Sequence, residues 1–143
     1  MAHLRFATFD EDTTTPGSDD IDLRLFYGPD CDSIDGQIGS SGGATSEEII
    51  DISNAPAGGY WFVIDYYAAA VGDNIDFTAW IQPVGSDNGN TSVTAPPSAV
   101  AGTTETVTVD YSGLTEGTRH LGLLHHNDAD GEAARTIIAI DAR

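Results

Sequence analysis

Lysine is absent from this chain, and five arginines are its only permanently charged cations. Against them stand 23 acids, with Asp far more frequent than Glu, for a formal charge of −18 at pH 7. Such a surface repels phosphate backbones and anionic lipid, so neither nucleic acid nor a membrane is an expected partner. Cysteine is almost as scarce. Cys31 stands alone, which excludes an internal disulfide. Its neighbours, Asp30 and Asp32, make a poor setting for a nucleophilic thiolate. No apolar run approaches membrane-spanning length. The opening MAHLRF has no basic region followed by an apolar one, so no signal peptide is expected. Met1-Ala2-His3 reads as an appended start, and the remainder as a piece of a longer protein. No stretch sustains a helical period, and the alanine-rich run at 68–71 is too short for a helix. There is no G-x-S-x-G and no glycine-rich loop leading into a helix, so two common signatures of acyl transfer and phosphate binding are missing. No internal repeat is visible.

What the chain does have is alternation. In SDDIDLRLFYGPD, residues 18–30, Ile21, Leu23 and Leu25 fall on one side of an extended chain and Asp20, Asp22 and Arg24 on the other. A strand buried on one face and wet on the other produces this period of two. Gly28 and Pro29 stop it. The same reading gives strands over 4–9, 21–27, 47–53, 60–67, 75–82, 91–95, 105–111, 119–126 and 134–141. A long mobile loop is expected over 30–45, where glycine and serine are frequent. YWFVIDYY, 60–67, is apolar or aromatic on both faces and is expected to be a central strand, paired as a hairpin with 75–82. The fold predicted is all-β: an antiparallel, jelly-roll-like β-sandwich, with an immunoglobulin-like sandwich as the alternative. At 143 residues the chain suits a single sandwich domain, with 83–90, PVGSDNGN, as the candidate internal boundary.

Three groups of residues could carry chemistry. The acids at 10–22 bracket a loop. If the loop folds back, Asp10 or Asp12 meets Asp20 or Asp22, and converging carboxylates are a ligand set for Ca²⁺. EF-hand spacing is absent, and solvated loop acids are the plainer reading. Asn127 to Glu132 superficially has the start of a calcium loop but lacks its closing ligands, and a hairpin turn accounts for Asn, Asp and Gly there. Among the histidines, His120 and His126 share a strand face but lie roughly 20 Å apart along it, too far to bind one metal. No catalytic residue is expected. An enzymatic reading, a small hydrolase built on His126 and nearby acids, has little behind it. Tyr60, Trp61, Tyr66 and Tyr67 form an aromatic group that would be core on an inner face and a stacking surface for sugars or peptides on an outer one.

The ordered motifs RFATFDEDT, DDIDLRLFYGPD, SEEIIDISNAPAGGYWFVIDYY, DNIDFTAWIQ, TVTVDYSGLTEGTRHLGLLHHND and ARTIIAIDAR together resemble the C-terminal non-catalytic region of secreted bacterial subtilisin-like serine proteases. The part to about residue 82 is similar to the pre-peptidase C-terminal type of β-sandwich, through Asp20-Ile21-Asp22-Leu23 and, loosely, Ala57-Gly58-Gly59-Tyr60. The protease's own catalytic motifs are absent. The resemblance implies an extracellular, non-catalytic accessory domain whose partners are the parent's catalytic domain and a protein or polysaccharide substrate, with Ca²⁺ as a candidate ligand. A free-standing adhesion or carbohydrate-binding module is the alternative.

Overall fold

The computed structural model describes residues Met1–Arg143 as ten strands and one short 3-10 turn, with no α-helix. All the strand pairings are antiparallel. The chain forms two compact units, Met1–Val84 and Gly85–Arg143. The division falls at the start of the glycine- and asparagine-rich stretch 83–90.

The first unit holds β1 (His3–Thr8), β2 (Asp20–Gly28), β3 (Gly36–Ser41), β4 (Glu48–Ser53), β5 (Gly59–Ala68) and β6 (Trp80–Val84). They form two three-stranded sheets, ordered β4-β1-β6 and β3-β2-β5. The alternating stretch at 20–28 is thus the middle strand of its sheet. Leu23 and Leu25 are fully buried, and Ile21 is nearly so. Leu4, Phe6 and Ile50 from one sheet join Leu23 and Leu25 from the other in a single buried cluster. The Phe6 ring lies 5.2 Å from that of Phe62 and 5.9 Å from that of Tyr60. The all-β antiparallel expectation holds, with two sheets gathered sandwich-like on this cluster.

Several local expectations are corrected. The 30–45 loop contains β3, whose GQIGSS sequence has little strand propensity. Small residues are needed there because Ile50 packs against it: a Cβ at Gly39 would sit 2.7 Å from Ile50 Cγ2. The expected hairpin between 60–67 and 75–82 does not form. β5 pairs with β2, and β6 pairs with β1. β5 is therefore an edge strand, not a central one. β6 begins only at Trp80 and includes Pro83, which an edge strand tolerates because one side of its backbone needs no ladder. His3 is structural. It opens β1, is buried, and places Nε2 2.8 Å from Asp51 Oδ1. Arg5 donates to the same carboxylate through Nε and Nη2, each at 2.8 Å.

The second unit holds β7 (Thr91–Thr94), β8 (Thr108–Tyr111), β9 (Arg119–Asp128) and β10 (Gly131–Asp141). They form two separate two-stranded ribbons, β7-β8 and β10-β9. The expected terminal hairpin is present, turning tightly at Ala129-Asp130, where the Asp130 N–H donates to Asp128 Oδ1. No side chain of this unit is fully buried.

Candidate functional site

The acids of residues 10–22 divide into two sets. Asp10 lies in the 3-10 turn Asp10–Asp12, where its carboxylate accepts from the N–H groups of Gly17 and Ser46. Asp12 accepts from Trp80 Nε1 at 2.8 Å. Both carboxylates thus tie the loop to the rest of the unit. Asp19, fully buried, does the same by accepting from the N–H groups of Thr15 and Ala70.

Asp20 and Asp22 differ. Asp20 is 8% exposed, and its Oδ1, like Oδ1 of Asp22, is buried with no hydrogen-bond partner. The acid that joins them is Glu48, only 3% exposed. In β4 it is in phase with Ile50 and Ile52, so the alternation of the strand turns it inward. Ser41 Oγ donates to it, and the Gly42-Gly43 connection wraps the pair closely. A Cβ at Gly42 would come within 2.9 Å of Asp22, and one at Gly43 within 3.1 Å of Glu48. Burial pushes the Glu48 carboxyl above its ordinary range; the Ser41 bond opposes this, while Asp22 and Asp20 add to it. Burial also raises Asp20, and the neighbouring Asp22 raises it further. Nowhere do three or more His, Cys, Asp or Glu side chains surround a common point in a metal-holding arrangement. Glu48 was legible in EEIIDIS as the acid in step with two core isoleucines, a signal the loop-centred reading of the acids missed.

The four aromatic residues of β5 also divide. Tyr60 faces the core, packing on Phe6 and Tyr27, and its hydroxyl donates to the Pro56 carbonyl at 2.8 Å. Trp61 lies over the glycines at 28 and 59. Tyr66 and Tyr67 are 53% and 72% exposed. The register opposes Ile21 to Tyr66 and Asp20 to Ala68, which leaves Tyr67 as the extra residue of a bulge. The exposed aromatic surface is therefore Tyr66-Tyr67, and Val63 on the same strand is exposed as well.

The four histidines have separate partners. His3 meets Asp51, and His125 meets Glu132, which also takes Arg135. His120 bonds to the Thr118 hydroxyl and the Thr115 carbonyl, and His126 to the Thr136 hydroxyl. A cleft of about 180 Å³ between Gly89–Ser92 and Asp110–Ser112 is smaller than the roughly 300 Å³ at which small-molecule pockets begin. Comparison with family models, with characterised proteins and with solved structures gives no match.

Proposed function

We propose that the chain is a non-catalytic accessory module of a secreted subtilisin-like protease, serving to fold or stabilise the parent or to hold it on a protein substrate. The resemblance of its ordered motifs to the C-terminal regions of such proteases motivates the reading. The observation that carries the non-catalytic part is the way the histidines are partnered. His3 and His125 have a carboxylate but no hydroxyl or thiol to activate. His120 and His126 have a threonine hydroxyl but no carboxylate behind them. Nucleophilic catalysis of the Ser-His-Asp type puts all three roles in one line. Incubation of the purified chain with casein and chromogenic peptides is expected to give no cleavage. Cleavage that survives purification and disappears in His126→Ala overturns the reading.

A stabilising Ca²⁺ belongs to the same proposal. Of the four acids named from the sequence, Asp20 and Asp22 have oxygens without partners and fit a cation, whereas Asp10 and Asp12 already hold loop amides and Trp80. Bound calcium would supply the positive charge that these two carboxylates lack. Saturating a site a hundredfold over its dissociation constant adds roughly 2.7 kcal/mol, a rise in melting temperature on the order of 5–10 °C. Melts with millimolar calcium and with chelator, at equal ionic strength, measure it. Equal melting temperatures remove the ion from the proposal. A rise that persists in the Asp20→Asn/Asp22→Asn double variant moves it to other acids.

A further inference from the structure

The four outer edges of the two three-stranded sheets are not protected alike. β4 turns a charged residue, Glu48, inward, and β6 carries Pro83. β3 has six residues, two of them glycine, and a bulge at Ile38. Charges, proline, shortness and bulges are the means by which sheets blunt an exposed edge. β5 lacks them over most of its length. It runs ten residues without proline, and its bulge comes only at Tyr67, near its end. Its one charge, Asp65, is held 2.6 Å from Arg24 of the neighbouring strand. The ladder of β5 goes to β2 alone, and no other backbone–backbone hydrogen bond involves residues 59–68. The outer main-chain donors and acceptors of β5 therefore have no backbone partner, and Val63, Tyr66 and Tyr67 on this strand are exposed.

We propose that the free edge of β5 is a strand-addition site whose occupant is an extended, basic, alternately apolar segment of a partner polypeptide. Main-chain hydrogen bonds to an open edge supply affinity without regard to sequence, and side chains on alternate positions select. Charge decides the occupant. Met1–Val84 carries fifteen acids against two arginines. A second copy brings the same charge to the edge and is repelled, whereas a lysine- or arginine-bearing strand is attracted. The inference stands on β5 itself and does not depend on the protease reading.

The test is an amide NMR titration of the full chain with a capped peptide alternating valine with lysine. Two controls accompany it: the same peptide with glutamate for lysine, and one with a central proline. Shift changes and slowed amide exchange are expected within Gly59–Ala68, with the proline peptide binding about tenfold more weakly and the glutamate peptide not measurably. Val63→Lys places a like charge on an exposed position of the edge and is expected to cost about tenfold in affinity while the spectrum of β2 is unchanged. Three results overturn the proposal. Perturbations spread over the acidic loops, or equal binding of the proline peptide, reduce the effect to charge attraction. Self-association in sedimentation, with broadening confined to β5, makes the occupant a second copy. Silence at 59–68 removes the site.

Discussion

The two halves of this chain use the same element, the antiparallel strand, and end with very different interiors. In Met1–Val84 two three-stranded sheets place Leu4, Phe6, Leu23, Leu25 and Ile50 in one cluster out of water. In Gly85–Arg143 two separate ribbons leave every side chain at least partly exposed. The second half is not short of apolar residues. β9 offers Leu121, Leu123 and Leu124, and β10 offers Ile137, Ile138 and Ile140. The register sets Leu123 against Ile137 and Leu121 against Ala139 on one face, and Leu124, Ile138 and Ile140 fall on the other. A ribbon that divides its apolar groups between two faces cannot bury both with two strands, and an isolated two-stranded hairpin is marginal in water. The difference teaches that alternation in register with a second sheet, not apolar content, makes a core here.

The largest effect that sharpens this contrast comes from paired truncations. Leu25→Ala empties a fully buried position and is expected to cost about 3 kcal/mol, whereas Leu123→Ala, at a half-buried one, is expected to cost about 1 kcal/mol. Denaturant melts of both variants check this, and equal losses break the contrast. Next is the Arg5–Asp51–His3 group on β1 and β4. Burial pushes the Asp51 carboxyl up, but the hydrogen bonds from Arg5 and His3 outweigh it and hold the carboxyl below its ordinary range. A depressed acid stabilises the fold above its unfolded pKa and loses that contribution as pH falls through the folded one. Arg5→Ala is therefore expected to cost about 2 kcal/mol at pH 7 and progressively less below about pH 4. A pH series of melts on both proteins shows whether the two curves converge in acid.

The smallest effect has the opposite sign. Glu48 is raised, so the folded state holds its proton more tightly than the unfolded chain. Below the unfolded pKa the group is protonated in both states and contributes nothing. As pH rises past that value, ionising Glu48 inside the fold costs stability. Glu48→Gln, measured in chelator, is expected to raise the melting temperature at pH 7 by a few degrees and to leave it unchanged near pH 3. A variant less stable than the parent at pH 7 would mean that the carboxylate's bond from Ser41 outweighs its burial.

Most strands were legible where hydrophobic period and turn chemistry agree. The residues from 18 to 30, EEIIDIS and the terminal hairpin all lie where alternation places them. β3 was not legible because its strand character comes from pairing with β2, while Ile50, eleven residues beyond Gly39, admits only a small residue there and so lowers the local strand signal. The pairing of β5 was misread for a related reason. Sequence neighbours suggest hairpins, but β5 lies beside β2, about forty residues earlier in the chain, and β6 lies beside β1. Period locates strands and says nothing of long-range partners. The acidic site was half legible. Asp20 and Asp22 stand out within their strand, whereas Glu48 needed the phase of a second strand to be seen as inward.

The central claim is that stability resides in the cluster between the sheets of Met1–Val84, and native-state amide exchange tests it most directly. The account predicts that amides of β1 and β2, those of Leu4, Phe6, Leu23 and Leu25 among them, exchange only through global opening. Those of β7 and β8 are predicted to exchange through local opening at least about a hundredfold faster once intrinsic rates are removed. Equal protection in the two regions would contradict it.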